Sequence, residues 1–435
     1  MNSFSAIRSS LKNKTAKICI VGLGYVGLPL AVAFARKGFF VYGFDTDPNR
    51  VNKLRQGEKF IVDVSPGEVL SLIKNKKFFP STDEKIIRDS GVIIIAVPTP
   101  LRKVKFPDIS YVVSASNTVR KNMRKGQLVI LESTSYTTTT REVTLPILKR
   151  SGLKEEFDFF LAFSPERVNP GDKKFPVVRI PKAIGGFSDK SAELAHLAYS
   201  QIMETVFNVS SPEVAETSKL LENTFRLVNI ALINEFAILC HKLGISIWEV
   251  IECAKTKPFG FMPFYPGPGI GGHCIPCDPV FLSWKARKLG YKTKMIDLAL
   301  EMNRYMPHYV VERVQEALKE RGKRGIAGAK ILILGVTYKK DVKDLRESPS
   351  LEIIEYLQHA KARVNFYDPF IPYIRLGGLD LKGVELTPAA LKKFDCVVLI
   401  TDHSDIDYGS VRKNARLIFD TRNVYKARFA NVIKL

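Results

Sequence analysis

Short apolar runs broken by glycine and by charged stretches set the rhythm of positions 1–210. "KICIVGLGYVGLPLAVAFARKGFFVYGFD" reads as a strand, a glycine turn, a helix ending near Gly38 and a second strand ending at Asp45. Further strands are expected at "GVIIIAVPTP", "QLVILEST", "FDFFLAFSPE" and "KAIGG". Apolar runs of this kind predict a parallel sheet buried on both faces by helices. Then the period changes. In "SSPEVAETSKLLENTFRLVNIALINEFAILCHKLG", Ser210 and Glu213 have capping-box spacing, Pro212 suits a first helical turn and Gly244 a stop. Leu221, Phe225, Val228, Leu232, Phe236 and Leu239 recur at helical spacing, so that face is expected to be core. About thirty residues at ~1.5 Å each predict a helix of about 45 Å, long enough to join two domains and to pair with a partner subunit. From about Lys330 a second strand–helix–strand pattern begins with "AKILILGVTYKKD", "SPSLEIIEYLQHA" and "ARVNFYDP". "FDCVVLITDH" and "ARLIFDTRN" supply further strands.

Composition narrows the partners. A chain of 435 residues exceeds the size at which one core keeps growing, in keeping with two sheet domains bracketing a helical middle. The opening "MNSFSAIRSSLKNKTAK" is polar and basic, so no signal peptide is expected, and no apolar run approaches a membrane span. Six scattered cysteines are no disulfide framework, which predicts a reducing, cytoplasmic setting. A formal charge of +22 suits polyanions. The basic residues are dispersed, however, without a block or a nucleic-acid module. A solvated basic surface is favoured over a nucleic-acid footprint, and phosphorylated small molecules stay in view.

Three stretches carry candidate chemistry. Gly22, Gly24 and Gly27 form G-x-G-x-x-G between a strand and a helix, the context in which this common pattern means dinucleotide binding. Gly22 suits the tight turn, Gly24 the approach of a pyrophosphate and Gly27 close helix–strand packing. Asp45, at the end of the second strand, is placed to bind ribose hydroxyls and to repel a 2′-phosphate, so NAD is favoured over NADP. The corresponding turn of the second sheet domain has no such glycines; it carries Lys339, Lys340, Lys343 and Arg346, which suits a phosphorylated ligand or simply a solvated loop. The expected fold class is therefore α/β, with two Rossmann-like doubly wound sheet domains joined by a long central helix. The boundaries are 1–210 for NAD binding, 211–325 for the helical dimerisation and catalytic-loop region, and 326–435 for the second sheet domain.

On the long helix Lys219 and Asn223 share a face, pointing away from the apolar stripe; the pair suits an oxyanion, though on spacing alone such a pair is more often surface decoration. The loop "YPGPGIGGHCIPCDP" (265–279) poses a choice between a metal half-site, a redox Cys-x-x-C and a lone nucleophile. Cys19, Cys240, Cys253 and Cys396 stand alone and complete no zinc pattern, so no metal is expected. Gly271 and Gly272 are read as leaving room beside Cys274, with Pro276 and Pro279 stiffening the backbone. A dinucleotide domain with an accessible Cys274 points to oxidation through a covalent thioester. Cys277 is either a small space-filler or a resolving thiol that captures oxidised Cys274.

"VGLGYVGLPLA", "VPTP", "EST", "SPERVNPG", "ETSKLLENTFRLVNIALINE", "PGPGIGGHCIPCDP" and "TYKKDVKDLRESPS" stand in one order along nearly the whole chain. In that order they resemble the UDP-glucose/UDP-N-acetylhexosamine 6-dehydrogenase family, nearest its UDP-N-acetylglucosamine branch. The resemblance implies Cys274 as nucleophile, with Lys219 and Asn223 as oxyanion stabilisers. Asp278, Glu166 and Thr134 would then surround the hydrolytic water and the reacting carbon. It implies NAD contacts from Gly22, Gly24, Tyr25, Val26, Gly27, Asp45, Arg50, Pro98, Thr99, Thr134 and Arg346. UDP-sugar contacts are implied for Glu166, Arg167, Val168, Lys219, Asn223, Tyr265, Gly271, Tyr338, Lys339 and Arg422. It further implies a homodimer or higher homo-oligomer, with no nucleic acid and no membrane as partners.

Two departures bear on the substrate. UDP-glucose members usually carry a second glutamate where Pro170 stands, and an arginine ahead of the glycine loop is replaced by "KPFGFMPFYPGPG". Phe259, Phe261, Met262, Phe264 and Tyr265 suit an acetamido methyl. UDP-N-acetylglucosamine is the expected substrate, with UDP-glucose next and the mannosamine and galactosamine epimers open. The expected reaction is a four-electron oxidation of the C6 alcohol to the acid. Rival readings are a two-electron dehydrogenase of the 6-phosphogluconate or hydroxyacyl type, and a non-catalytic nucleotide-sugar sensor.

Overall fold

The computed structural model describes residues 2–59, 61, 64–101, 106–168, 177–323 and 325–435. The chain divides into two compact units, residues 1–222 with 280–291, and residues 223–279 with 292–435.

The first unit is built on eight strands: β1 (Lys17–Val21), β2 (Phe40–Phe44), β3 (Phe78–Ser81), β4 (Val92–Ile95), β5 (Gln127–Leu131), β6 (Phe159–Phe163), β7 (Lys182–Gly186) and β8 (Val206–Val209). Their spatial order is β3-β2-β1-β4-β5-β6-β7-β8. The reversal beside β1 places the first glycine turn at the crevice where doubly wound sheets bind ligands. Strands β4, β5 and β6 are buried at every position, as their unbroken apolar runs foretold. Every neighbouring pair is parallel except β6 with β7, a departure from the all-parallel expectation. A parallel pairing needs a crossover element, and the described residues between these strands hold only a short 3₁₀ turn, Val177–Arg179. Strands β3 and β8 were not foreseen in the sequence. Pro80 sits in β3 without breaking it, because β3 is an edge strand. The opening basic stretch forms a helix, Ser3–Lys12, capped by the Asn2 side chain and anchored by the buried Ile7 and Leu11.

The second unit holds a five-stranded parallel sheet of β9 (Lys330–Leu334), β10 (Arg363–Tyr367), β13 (Cys396–Leu399), β14 (Ile418–Asp420) and β15 (Val432–Lys434) in the order β10-β9-β13-β14-β15. Between β10 and β13 lies a hairpin, β11 (Tyr373–Leu376) with β12 (Leu379–Lys382). The helices Lys294–Glu320 and Pro349–His359 pack on this sheet through Met306, Val310, Val314, Ile353, Ile354 and Leu357.

The long helix spans Pro212–Lys242, 31 residues, and the division between the units falls within it, between Glu222 and Asn223. Its faces are the reverse of the expectation from periodicity. Leu221 is 63% exposed, and Phe225, Leu232, Phe236 and Leu239 are exposed with it. The buried face is formed instead by Glu216, Lys219, Leu220, Asn223, Leu227, Ala231, Asn234, Ala237 and Cys240. Spacing reveals that a stripe shares one face, but not whether this chain or another covers it. By length and apolarity the helix also qualifies as a membrane span, where the sequence showed only short apolar runs.

Candidate active site

The glycine turn of the first unit has the shape a dinucleotide needs. Gly22 has φ +97°, and a Cβ there would lie 2.6 Å from the Ala96 carbonyl oxygen. A Cβ on Gly27 would fall on the Gly22 carbonyl, whereas one on Gly24 would meet nothing within 4 Å. Two glycines are therefore required by the protein's own packing, and the middle one opens to an incoming group. The helix Gly27–Arg36 begins here with no side-chain cap among the described residues, leaving its first N–H groups available to phosphate. Asp45 is 4% exposed; its Oδ2 accepts from Leu23 N at 2.8 Å and pairs with Arg50 at 2.8 Å, while Oδ1 accepts from Asp47 N. Its carboxylate thus fastens the glycine turn to the end of β2. These residues fit a dinucleotide cofactor.

Next to this turn, Thr99 Oγ1 donates to the Thr134 carbonyl at 2.5 Å and Ser133 Oγ accepts from Val97 N at 2.9 Å. Pro98, Thr99 and Thr134 are thereby brought together at the ends of β4 and β5. Tyr25 is exposed and Val26 half-buried at the head of the helix. Glu166 follows β6. Its Oε1 accepts from Arg167 N and Val168 N, both at 2.8 Å, and its Oε2 pairs with Lys182 Nζ at 3.0 Å. Arg167 pairs with Glu222 at 2.7 Å. Pro170 lies outside the described residues.

The second unit holds the cysteine loop. Its glycines make room, but for the protein rather than for a visitor. A Cβ on Gly271 would strike the Glu347 carbonyl at 2.5 Å and Tyr338 Cβ at 2.6 Å, and one on Gly272 would meet the Tyr338 ring at 2.7 Å. The Gly272 N–H also donates to the Arg346 carbonyl. This corrects the reading that Gly271 and Gly272 leave room beside Cys274: the segment carrying Tyr338, Lys339 and Arg346 fills that space. Cys274 itself is exposed. Its carbonyl accepts from Cys277 N and Asp278 N, so the thiol rides on a tight turn leading into the helix Asp278–Lys288. Asp278 is buried, and its Oδ2 accepts from Asn223 Nδ2 at 2.5 Å. Lys219, one helical turn before Asn223, is buried as well. Cys277 is 4% exposed, and burial pushes its thiol well above the ordinary range.

Around this loop, Gly267 N donates to Asn234 Oδ1 at 3.0 Å, and the Arg422 guanidinium crowds the position a Gly267 Cβ would take. Arg422 donates from Nε to the Ile400 carbonyl at 2.7 Å, and burial lowers its proton affinity. Arg346 pairs with Asp344 at 2.6 Å. Tyr265 stacks on Trp248 with 6.3 Å between ring centroids, while Phe259 and Met262 are exposed.

Known proteins match this chain along its length. Residues 16–203, 213–305 and 332–427 match the NAD-binding, central and UDP-binding domains of the UDP-glucose/GDP-mannose dehydrogenase family. The chain belongs to this family. A UDP-N-acetyl-D-glucosamine 6-dehydrogenase of Pseudomonas aeruginosa is 40% identical over 82% of this chain and 84% of its own. A UDP-N-acetyl-D-mannosamine dehydrogenase of Methanococcus maripaludis is 37% identical over 94% of this chain and 93% of its own. Among solved structures, the UDP-D-ManNAc dehydrogenase of Pyrococcus horikoshii superposes with TM-score 0.87 at 34% identity, covering 96% of this chain and 98% of that one. The protein is an NAD-dependent nucleotide-sugar dehydrogenase.

Sequence reasoning on this dehydrogenase missed one buried ionic cluster behind Glu166, made by Glu132, Lys182 and Tyr199. It also missed Glu216, which accepts from Thr138 N, Thr140 N and Thr140 Oγ1 and so holds the loop after β5 in place. The only signal was a charge set against an apolar run, as in "LVILEST" and "PKAIGG", and solvated strand ends look the same.

Proposed function

We propose that this dehydrogenase oxidises the C6 alcohol of a UDP-N-acetylhexosamine, UDP-N-acetylglucosamine foremost, to the uronic acid through a thioester on Cys274. The observation that carries this reading is an exposed Cys274 on a turn whose next helix opens with Asp278, itself bound to Asn223. A two-electron dehydrogenase has no use for that thiol. Held at the Gly22–Gly27 turn and Asp45, NAD⁺ would supply hydride acceptance from C6 for each of two oxidations. Between them the Cys274 thiolate attacks the aldehyde carbon, and the Asn223 amide and Lys219 ammonium stabilise the resulting oxyanion. Asp278, at the start of the helix that follows Cys274, orients the water that hydrolyses the thioester. On the cofactor side, Asp45 takes the ribose hydroxyls; Tyr338, Lys339 and Arg422 hold the UDP-sugar.

The acetylated sugar is supported by the Pseudomonas aeruginosa relative and by the exposed aromatic loop Phe259–Tyr265, an apolar surface suited to a methyl group. The mannosamine epimer is the second reading, favoured by relatives of 35–37% identity over as much as 95% of the chain. The exposed stripe of the long helix supports a homodimer, and six free cysteines support a reducing cytoplasm. The test is NADH counted against limiting UDP-sugar, with UDP-N-acetylglucosamine, its two epimers and UDP-glucose in parallel. Two NADH per sugar are expected, with UDP-N-acetylglucosamine ahead of UDP-glucose at least tenfold in kcat/KM. One NADH per sugar rejects the thioester route, and none supports a sensor.

A further inference from the structure

The turn that opens the second sheet is fastened in the manner of the dinucleotide turn. Gly335 has φ +81° and its N–H donates to the Tyr367 carbonyl at 2.8 Å. Asp368, just past β10, accepts from Val336 N through Oδ2 and from Phe370 N through Oδ1, both at 2.8 Å. In the first unit Gly22 donates to the Phe44 carbonyl, and Asp45 accepts from Leu23 N and Asp47 N through the same two oxygens. The carboxylates differ in what faces them. Asp45 meets the partly exposed Arg50, whereas Asp368 Oδ2 lies 2.9 Å from Nε2 of His403, a ring with no exposed surface in the segment after β13.

The other ring nitrogen reaches the basic loop after β9. His403 Nδ1 accepts from Asp341 N at 3.0 Å. An amide N–H only donates, so Nδ1 carries a lone pair and the ring proton sits on Nε2, facing Asp368 and the Thr337 hydroxyl. Burial works against an anion at Asp368, yet the His403 ring and the N–H groups of Val336 and Phe370 hold its carboxyl below the ordinary range. Asp341 takes φ +58°, a left-handed conformation that costs a residue with a side chain. Its carboxylate accepts from Ser404 N at 2.8 Å and Ser404 Oγ at 2.7 Å. Two residues earlier, the Lys339 carbonyl accepts from Thr337 Oγ1 at 3.0 Å. The backbone carrying Tyr338 and Lys339 is thus pinned on both sides.

We propose that His403 is a positioning residue for the UDP-sugar: its Nδ1 holds the 338–341 loop by the Asp341 N–H, and Asp368 fixes the tautomer that makes Nδ1 an acceptor. This rests on the assignment of Tyr338 and Lys339 to the UDP-sugar above. The ring touches no ligand. It keeps a strained turn in one conformation before the nucleotide arrives, so less ordering entropy opposes binding. Its two nitrogens have separable duties. An asparagine side-chain oxygen can stand in for Nδ1 and a glutamine amide for Nε2. His403→Asn therefore keeps the bond to the loop, and His403→Gln keeps only the bond to Asp368.

The test uses the full chain, with UDP and NAD⁺ titrated separately by calorimetry, Tm, amide hydrogen exchange across 338–344, and kcat and KM with the UDP-sugar. His403→Gln should weaken UDP about tenfold or more, the loss expected when a buried N–H is left unpaired. Its UDP-sugar KM should rise to match and exchange at Asp341 should quicken, with kcat and NAD⁺ affinity within a few-fold of wild type. His403→Asn should restore most of the UDP affinity even where its Tm is the lower of the two. Equal losses in both variants, or wild-type UDP affinity in His403→Gln, overturn the proposal. Unliganded wild type carries the test should His403→Gln fail to fold: its Asp341 amide should already exchange slowly, and rapid exchange that slows only when UDP binds overturns the proposal. Lys339→Ala separates the two readings. Wild-type UDP affinity in that variant removes the assignment of this loop to the UDP-sugar, and the role of His403 with it; weakened UDP there beside wild-type affinity in His403→Gln overturns the role of His403 alone.

Discussion

In the proposed function, Cys274 and Asp45 carry separate parts of the chemistry. Cys274→Ala should abolish acid formation, with NAD⁺ and UDP-sugar binding kept within a few-fold; calorimetry with quantified product checks both, and sustained acid production would reject covalent catalysis. Asp45 sits between Leu23 N and Arg50, and in the proposed function its negative charge takes the ribose hydroxyls and repels a 2′-phosphate. Wild type should prefer NAD⁺ strongly, and Asp45→Ala, which leaves Arg50 in place, should shrink the NAD⁺/NADP⁺ ratio of kcat/KM at least tenfold, about 1.4 kcal/mol. An unchanged ratio would remove Asp45 from cofactor selection. Cys277 answers differently from its neighbour. Buried, with its thiol shifted toward the neutral form, it is poorly set to act as a thiolate, and the space-filling reading gains support over a resolving role. Matched peroxide treatment of wild type and Cys277→Ile, followed by dithiothreitol, should give equal recovery.

At the scale of elements, the long helix is the most exposed to misreading. Its apolar stripe and its buried polar face both follow from one 3.6-residue period, yet only neighbouring chain decides which faces inward. Leu232→Glu with Phe236→Glu should shift the protein toward monomer in analytical ultracentrifugation, since each apolar side chain buried at a pairing face contributes about 1.5–3 kcal/mol. A sedimentation profile like wild type would place the interface elsewhere. Glu216, on the opposite face of the same helix, holds the loop after β5, where Thr138 takes φ +81°. Burial raises Glu216 to about 7 from 4.5. Its favourable contribution is therefore complete below about pH 4.5 and is lost as pH rises through about 7, a swing of at most about 3 kcal/mol. Glu132 loses stability over the same range. Between about pH 5.5 and 8.5 the wild-type Tm should fall, and Glu216→Gln should fall less; equal slopes would show that Glu216 does not titrate there.

For the whole molecule, the sequence by itself determined the two sheets, the long helix that lies between them along the chain, and the dinucleotide turn. Each is written in local terms: apolar strand runs, a 3.6-residue period from Pro212, and a strand–glycine–helix run around Gly22. The edge strands β3 and β8 escaped because four residues such as Phe78–Ser81, one of them proline, carry no period of their own. Tertiary structure alone decided what covers what. It turned the leucine and phenylalanine stripe outward and the Lys219–Asn223 face inward, filled the space over Gly271 and Gly272 with Tyr338, and set Asn223 against Asp278. It also assembled Glu132, Lys182, Glu166 and Tyr199 from three strand ends and a helix, positions 67 residues apart at the extremes. Burial, and with it the proton affinity of each of these groups, depends on atoms brought in from distant parts of the chain, and no local spacing encodes that.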